Sequence, residues 1–320
     1  MTRQRIFYLC PEFDEPAGGL KVIYKHVDLL NSNNITSYVV HKTPGYRCSW
    51  FENSTEIMPL STMRPDESDI IVVPAIWGAI VDSFFPGIWK VIFNQGCYLT
   101  FQGYPIGKEV PPVPYRHGDV VATMVVSDDS KEYLEYAFPG IHVHKVRNSI
   151  DTEQFAYSDK KENLLAFMVR KRYQDVEQVI NILKYRGMLD DYDLAPITGA
   201  SESDVAGIMG KARVFMYFCD GEGWGLPVAE AMSCGCIVVG NHGYGGKELH
   251  RPGYSFSVEQ GDILSFVAQV EEVLKACEND PDRINVMALQ ASEYIRSNYS
   301  SGHTGEDLMH FFENLGGTVR

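Results

Sequence analysis

Short apolar runs alternate along the chain with longer stretches whose apolar residues recur at helical spacing. The short runs predict strands, and the longer stretches predict helices. Alternation of the two is typical of βαβ units, which build parallel sheets covered by helices. In the first half the predicted strands are Ile6–Cys10, Ser37–His41, Ile70–Val73, Val91–Asn94, Met124–Ser127 and His142–Val146, and the predicted helices are Leu20–Asn31, Ala79–Phe85 and Ser130–Phe138.

The second half repeats this alternation, so the chain predicts two α/β domains. Its 320 residues are enough for two well-filled cores. We expect the boundary near Val146–Phe155, where Asn148 and Asp151 flank a turn-like run. The predicted elements here are the strands Leu164–Val169, Leu194–Ile197, Val214–Phe218, Cys236–Val239 and Tyr254–Ser257, the helices Asp175–Tyr185, Glu202–Met209 and Gly246–Leu249, and three helical stretches between Asp262 and Leu315.

Composition narrows the function classes. The net charge of −14 argues against a general nucleic-acid binder, which needs a basic surface. Residues 1–150 carry 13 basic and 16 acidic side chains, and residues 151–320 carry 15 and 26. The first half is therefore the better side for an anionic acceptor or peripheral contact with a membrane. Seven scattered cysteines, no signal peptide and no apolar run of membrane-spanning length predict a cytoplasmic protein.

Residues 222–239, EGWGLPVAEAMSCGCIVV, hold the most specific pattern of the chain. Glu222 is followed by glycines and by Pro227, which suits the first turn of a helix, and Gly235 is expected to end that helix. A helix N-terminus favours phosphate oxygens, and carboxylates accept hydrogen bonds from sugar hydroxyls. Glu222 and Glu230, about two turns apart, therefore suit a sugar phosphate. The spacing fits equally well a capped helix with Glu230 on a solvated face.

This segment resembles the E-x7-E signature of retaining GT-B glycosyltransferases of group 1 (family 4), commonly EGFGLPxxEAMACGxPVV. The resemblance implies two doubly wound, Rossmann-like α/β domains that face a cleft. It also implies transfer of a hexose-like unit from a nucleotide diphosphate sugar to the hydroxyl of a carbohydrate or other acceptor, as in polysaccharide or glycoconjugate biosynthesis. Retention at the anomeric carbon, no metal and no cofactor beyond the donor substrate are expected.

The interdomain stretch VRNSIDTEQF resembles the PNGVDxxxF segment of the same family, with Arg147 in place of Pro and Ser149 in place of Gly. The implied organisation is an acceptor-side domain over residues 1–148 and a donor-binding domain over 149–303. Residues 304–320 are expected to form a final helix that packs back on the first domain.

The resemblance assigns Glu222 to the sugar hydroxyls and Glu230 to the ribose. Arg170 and Lys171, from the basic run that ends with Arg172, are expected to stabilise the leaving diphosphate. The alternative for this run is a solvated basic turn. The full set expected to bind the donor is Gly18, Gly19, Arg170, Lys171, Glu222, Gly223, Gly225, Leu226 and Glu230.

A histidine that many family members hold after the strand Val91–Asn94 is absent here, and Gln95 or Asn94 is expected to supply hydrogen bonds instead. The catalytic set is therefore Glu222, Arg170, Lys171 and Gln95, with no general base assigned. His117 and the aromatic residues of segment 98–115 are further candidates, for the cleft and for acceptor stacking. Two other functions stay open: a sugar-nucleotide epimerase of the same fold, and a non-catalytic subunit that binds the nucleotide sugar.

Overall fold

A computed structural model describes residues 4–13, 15–104, 106–108 and 113–318. The chain divides into two compact units. The first comprises the residues up to Asn148 together with those from Ser301 onward, and the second comprises Ser149–Ser300. Among the described residues, no helix combines the length and apolar character needed to cross a membrane.

The first unit contains one parallel sheet. Its strands are β1 (Ile6–Leu9), β2 (Ser37–His41), β3 (Ile57–Pro59), β4 (Ile70–Pro74), β5 (Trp89–Asn94), β6 (Val120–Val125) and β7 (Val143–Lys145). Their order in the sheet is β3-β2-β1-β4-β5-β6-β7. Phe7, Ile71 and Ile92 from three central strands are fully buried in its core. Apolar side chains on successive strands therefore hold the sheet between its helices.

Two helices of this unit each follow a strand, and the last helix of the chain, described below, belongs to the same unit. The first two are α1 (Gly18–Ser32) and α2 (Asp128–Ala137). Ser127 accepts a hydrogen bond from the Ser130 amide and caps α2. Short 3₁₀ turns cover Leu60–Thr62, Ala75–Ser83, Cys97–Leu99 and Pro114–Arg116.

The second unit contains a five-stranded parallel sheet. Its strands are β8 (Glu162–Met168), β9 (Asp193–Ile197), β10 (Ala212–Tyr217), β11 (Ile237–Gly240) and β12 (Ser255–Ser257). The helices are α3 (Tyr173–Tyr185), α4 (Glu202–Lys211), α5 (Leu226–Cys234), α6 (Ile263–Asn279) and α7 (Pro281–Asn298). The strand order is β12-β11-β10-β8-β9. Val214, Met216 and Val239 are fully buried between the sheet and α3 and α6.

The final helix, α8 (Ser301–Thr318), belongs to the first unit, where it packs against α1. Arg147, just before the chain leaves this unit, binds both carboxylate oxygens of Asp307 on α8 at 2.7 and 2.8 Å. The Thr304 hydroxyl donates to the Arg147 carbonyl oxygen at 2.9 Å. The first unit is therefore completed by a helix that follows the whole second unit in the sequence.

The α/β fold class is confirmed. The predicted strands lie within about two residues of the observed ones, as boundary uncertainty allows, except Met124–Ser127, because the observed strand β6 already begins at Val120. The predicted helix Ala79–Phe85 is wrong, because the chain there forms a 3₁₀ turn with Ile80 outside helical geometry. Gly78 in this turn is pressed against Pro114, so tertiary packing sets its path. The predicted helix Gly246–Leu249 is a 3₁₀ turn at Gly245–Glu248, and the three-residue strand β3 was not predicted.

Candidate functional site

The candidate site of the second unit lies at the carboxyl ends of β8 and β10. β8 lies between β9 and β10 in the sheet. The chain passes from β8 to β9 on one side and then crosses to β10 on the other side, so the strand order reverses at β8. Ligands of open α/β sheets bind at such a topological switch point. The residues that follow these two strands are the basic run 170–172 and the motif loop that begins at Asp220.

The basic run turns the chain from β8 into α3. Arg172 has a left-handed backbone (φ 51°) and occupies the N-cap position without a side-chain cap on the helix. Its guanidinium binds Asp175 at 2.6 Å and Asp220 at 3.2 Å. Lys171 reaches across the switch point, and its ammonium donates a hydrogen bond to the Glu222 carboxylate. Arg170 is exposed.

Three consecutive cations beside a helix N-terminus are unfavourable in isolation. The N-terminal end of the helix dipole is positive, so Arg170, Lys171 and Arg172 add charge of the same sign. Asp175, Asp220 and Glu222 compensate part of it. An anion placed there gains both from the cations and from the unpaired amides of the first turn.

The motif loop leads into α5 through glycines with left-handed backbones. Gly225 precedes the helix with φ 98°, and Gly235 ends it with φ 85°, conformations that only glycine adopts without strain. Glu230 is the fifth residue of α5, just over one turn into the helix. It therefore lies nearer the helix start than the spacing of two turns predicted, because Glu222 precedes the helix. Its exposed fraction is 9%, which excludes the alternative of a solvated Glu230.

Glu222 is the charge with the largest effect on two buried side chains beneath the loop, Tyr217 and Cys219. Burial, followed by the Glu222 charge, raises the pKa of Tyr217 well above its ordinary value. Burial and then Glu222 also raise the pKa of the Cys219 thiol to about 12, against the opposing effect of Lys171. The two neighbours therefore stay neutral beside the ion pair of Glu222 and Lys171. Tyr217 also feels the charge of Glu230, so its ring lies close to both carboxylates.

The loop after β11 packs directly on the motif loop. The Glu222 amide donates to the Gly243 carbonyl oxygen at 2.7 Å, and Glu222 and Tyr244 form an isolated parallel bridge. Tyr244 occupies the centre of a γ-turn (φ 68°, ψ −65°), closed by a hydrogen bond from the Gly245 amide to the Gly243 carbonyl oxygen at 3.0 Å. This turn type is rare and strained, and strain of this kind concentrates at functional sites.

Sequence reasoning did not single out Tyr217, Tyr244 or Glu248, which surround the motif loop. Tyr217 lay inside a predicted strand, where a tyrosine indicates only packing. Tyr244 stood between glycines, and its ring is 39% exposed next to Glu222. Its position inside a glycine-rich run was the one available signal.

In the first unit, the structure brings Gly19 and Gln95 together. Gly18 and Gly19 are the first two residues of α1, which follows β1, and Ala17 at the N-cap has no side chain able to cap the helix. The Gln95 amide, just after β5, donates to the Gly19 carbonyl oxygen at 3.0 Å. Because β1, β4 and β5 are adjacent and parallel, both segments lie at the carboxyl edge of the sheet.

His117 does not share that edge. It precedes β6, so it lies at the amino edge, where its ring accepts a hydrogen bond from the Asp119 amide at 3.3 Å. Part of the aromatic segment 98–115 lies outside the described residues. Within the described part, Tyr98 hydrogen-bonds Asp129 at 2.8 Å, and Tyr115 is buried and accepts a hydrogen bond from Asn94 at 2.7 Å. Both tyrosines therefore have structural partners.

Comparison with known proteins gives consistent matches. Residues 196–286 match the family described as Glycosyl transferases group 1. An alpha-1,6-glucosyltransferase of Actinobacillus pleuropneumoniae serotype 7 (strain AP76) is 23% identical over 252 residues, 74% of this chain and 72% of that protein. Among solved structures, sucrose-phosphate synthase of Thermosynechococcus elongatus has a TM-score of 0.72 at 11% identity, covering 99% of this chain and 100% of that one. HepE of Anabaena in complex with UDP and glucose has a TM-score of 0.69 at 11% identity, covering 97% and 99%.

The two parallel sheets and the matching structures define the GT-B fold. The matched segment 196–286 contains the motif loop, both glutamates and the glycine-rich loop after β11. Over this segment the chain resembles the group 1 glycosyltransferases.

Proposed function

We propose that the protein transfers a glucosyl unit from UDP-glucose to an acceptor hydroxyl, with retention of the anomeric configuration and without a metal ion. The nucleotide and the sugar are suggested by two similar proteins. One is a glucosyltransferase by name, and the other, HepE, was solved with UDP-glucose. Both resemblances are distant in sequence, so the residues of this chain must carry the argument.

The observation that carries the proposal is the ion pair between Lys171 and Glu222 across the switch point. It places an ammonium group and a carboxylate side by side at the N-termini of α3 and α5. A sugar diphosphate presents the complementary pair of groups, since its phosphates are anionic and its hydroxyls donate hydrogen bonds. We propose that Lys171 and Arg170 bind the diphosphate, that Glu222 accepts from the sugar hydroxyls and that Glu230 accepts from the ribose. The amides of Gly223, Gly225 and Leu226 complete the phosphate contacts.

The proposed chemistry needs stabilisation of the leaving diphosphate more than a strong base. The anomeric C–O bond to the diphosphate breaks, and a new C–O bond forms with the acceptor oxygen on the same face. The departing phosphate oxygen therefore lies beside the acceptor hydroxyl and can take its proton. Cations and helix amides arranged in advance stabilise the charge that develops on the diphosphate. Glu222, paired with Lys171, suits hydrogen bonding to the sugar better than proton abstraction.

In the first unit we propose that the amides at Gly18 and Gly19 bind a phosphate oxygen, because α1 begins there without a side-chain cap. A Cβ on Gly19 would lie 3.2 Å from the Gln95 amide oxygen, so Gly19→Ala displaces that side chain. Gln95 would orient this loop and supply hydrogen bonds near the acceptor. We further propose a carbohydrate acceptor and action in the cytoplasm, since all seven cysteines are free and buried. Peripheral membrane contact is assigned to the less acidic first unit.

The binding roles are tested by Glu230→Gln, which keeps the shape of the side chain and removes its charge. Loss of hydrogen bonds to a buried carboxylate is expected to weaken UDP-glucose binding about 10- to 100-fold in calorimetry. Glu278→Gln on the exposed face of α6 is the matched control and should bind like the wild type. Unchanged affinity in Glu230→Gln would refute the assignment of Glu230.

The donor and the reaction are tested separately. Thermal-shift screening against UDP-, GDP-, ADP- and dTDP-sugars should give the largest stabilisation with UDP-glucose, because a ligand that binds only the folded state raises its stability. Analysis of the products by NMR should then show a new α-glycosidic linkage. A changed sugar nucleotide without transfer would indicate an epimerase, and binding without turnover would contradict the proposed activity.

A further inference from the structure

Behind the motif loop, aromatic residues enclose the carboxylate of Glu248. The Trp224 indole N–H and the Tyr299 hydroxyl both donate to the same oxygen of Glu248, at 2.8 and 3.1 Å. The Tyr294 hydroxyl donates to the Glu248 carbonyl oxygen at 3.0 Å. Trp224 and Tyr299 are only 2% and 4% exposed, and their rings are 4.8 Å apart. Hydrogen bonds from buried donors to a carboxylate are strong and hold a defined geometry.

One end of this network is continuous with the motif loop. Trp224 follows Glu222 by two residues, and the backbone between them has no room to slide. A Cβ on Gly245 would lie 2.1 Å from the Gly223 carbonyl oxygen, and a Cβ on Gly246 would lie 2.9 Å from that of Trp224. A shift of the loop at Glu222 must therefore move the Trp224 indole or the segment that carries Glu248.

The other end lies where the chain passes between the two units. Tyr299 follows α7 and is one residue from the boundary at Ser300. Its carbonyl oxygen accepts a hydrogen bond from the Ile150 amide at 2.9 Å, and Ile150 is two residues past the other boundary at Asn148. The chain passes between the two units twice, near residues 148–150 and near residues 299–301. These two connecting segments are thus joined by the hydrogen bond at Tyr299.

We propose that Glu248 is a positioning residue and that the Trp224–Glu248–Tyr299 network couples occupation of the motif loop by the donor to the two connecting segments. The inference rests on the proposed function, because the motif loop must bind the nucleotide sugar. Donor contacts at Glu222 and Gly223 shift Trp224, Glu248 follows through its hydrogen bond, and Tyr299 transmits the shift to the backbone at Ile150. None of the three side chains needs to touch the substrate.

The variant that isolates the coupling is Tyr299→Phe, which keeps the ring and leaves the Trp224–Glu248 hydrogen bond in place. At saturating UDP-glucose, we expect the rate at which UDP-glucose is hydrolysed to UDP to fall about tenfold. The Kd for UDP-glucose, measured by calorimetry, should change less than about threefold. The loss of a hydrogen bond to a carboxylate is large enough for this effect. Tyr254→Phe is the control, because its ring stacks on Tyr294 in the same cluster while its hydroxyl makes no hydrogen bond to Glu248.

A spectroscopic signal supplies the second measurement. Trp224 is the one tryptophan of the second unit, since Trp50, Trp77 and Trp89 all belong to the first. UDP-glucose should produce a saturable change in tryptophan fluorescence in the wild type and in Tyr254→Phe, and Trp224→Phe should abolish it.

The outcomes distinguish failure of the coupling through Tyr299 from failure of the proposed glucosyl transfer. If the wild type binds UDP-glucose but Tyr299→Phe retains the full rate below its melting temperature, the role of Tyr299 is structural and the coupling is refuted. A wild type that binds without any Trp224-dependent fluorescence change refutes it as well. If the wild type neither binds UDP-glucose nor releases UDP, the proposed function fails, and the inference falls with it.

Discussion

Replacement of Gly245 by alanine tests whether the two loops of the candidate site are packed backbone to backbone. An added Cβ would lie 2.1 Å from the Gly223 carbonyl oxygen, 2.5 Å from the Gly223 carbonyl carbon and 2.6 Å from the Glu222 carbonyl oxygen. All three atoms belong to the main chain of the motif loop. None can turn away as the end of a flexible side chain could.

The size of the effect follows from these distances. Ordinary contacts between such atoms are about 3.5 Å, so the loops must separate by about 1 Å. Overpacking a buried site usually costs roughly 1–3 kcal/mol, and the upper part of this range applies because only backbone can give way. For a unit of this size, each kcal/mol lowers Tm by about 2–4 °C. The same displacement moves Glu222 away from Lys171, so UDP-glucose affinity should fall at least about tenfold.

Thermal melts and calorimetry of Gly245→Ala measure both quantities. Gly207→Ala provides the matched control, because Gly207 is exposed within α4 and an added Cβ meets nothing within 4 Å. Glycine is a poor helix former, so this control should raise stability by about 0.5–1 kcal/mol and leave donor affinity unchanged. Wild-type stability and wild-type affinity in Gly245→Ala would show that the loops are not in contact as described.

Two further predictions concern the first unit. Arg147→Lys and Asp307→Asn should each destabilise this unit, because Arg147 binds both carboxylate oxygens of Asp307. A double-mutant cycle measured by urea unfolding should give a coupling free energy of about 0.5–3 kcal/mol. Additive effects of the two substitutions would contradict the contact. Burial lowers the pKa of His26 to about 3, with a smaller contribution from Lys25. Between pH 6.5 and about 3 the unfolded chain therefore binds more protons at this site, and stability should fall with falling pH by up to about 1.4 kcal/mol per unit. His26→Gln should reduce this slope between pH 4 and 6, and an unchanged slope would refute the assignment.

Much of the fold was accessible from the sequence because both sheets are buried on both faces. Strands such as β4 and β11 are continuous apolar runs, and glycines mark both ends of α5. What escaped prediction depends on contacts between distant residues. The 3₁₀ turn at Ala75–Ser83 is shaped by Pro114, about forty positions away from Gly78, and no local pattern shows that contact.

The candidate site divides in the same way. The motif indicated Glu222 and Glu230, and the burial of Glu230 excludes the solvated position that was its alternative. The left-handed backbone of Arg172 and the γ-turn at Tyr244 could not be predicted, because side chains rarely adopt these conformations without support from neighbours. Arg172 has that support from Asp175 and Asp220, and the neighbouring Lys171 pairs with Glu222.

Arg147 shows why a departure from the family pattern carries information of its own. A proline at this position has no amide N–H, yet the Arg147 amide donates to Asp307 at 3.0 Å in addition to the two guanidinium contacts. The residue therefore cannot be exchanged for proline without losing three hydrogen bonds to α8. A proline stiffens the connecting segment by itself, whereas Arg147 fixes it to a helix 160 positions later in the chain. Rigidity of this segment here depends on a long-range ion pair, so it should respond to salt and to substitution of Asp307, which a proline would not.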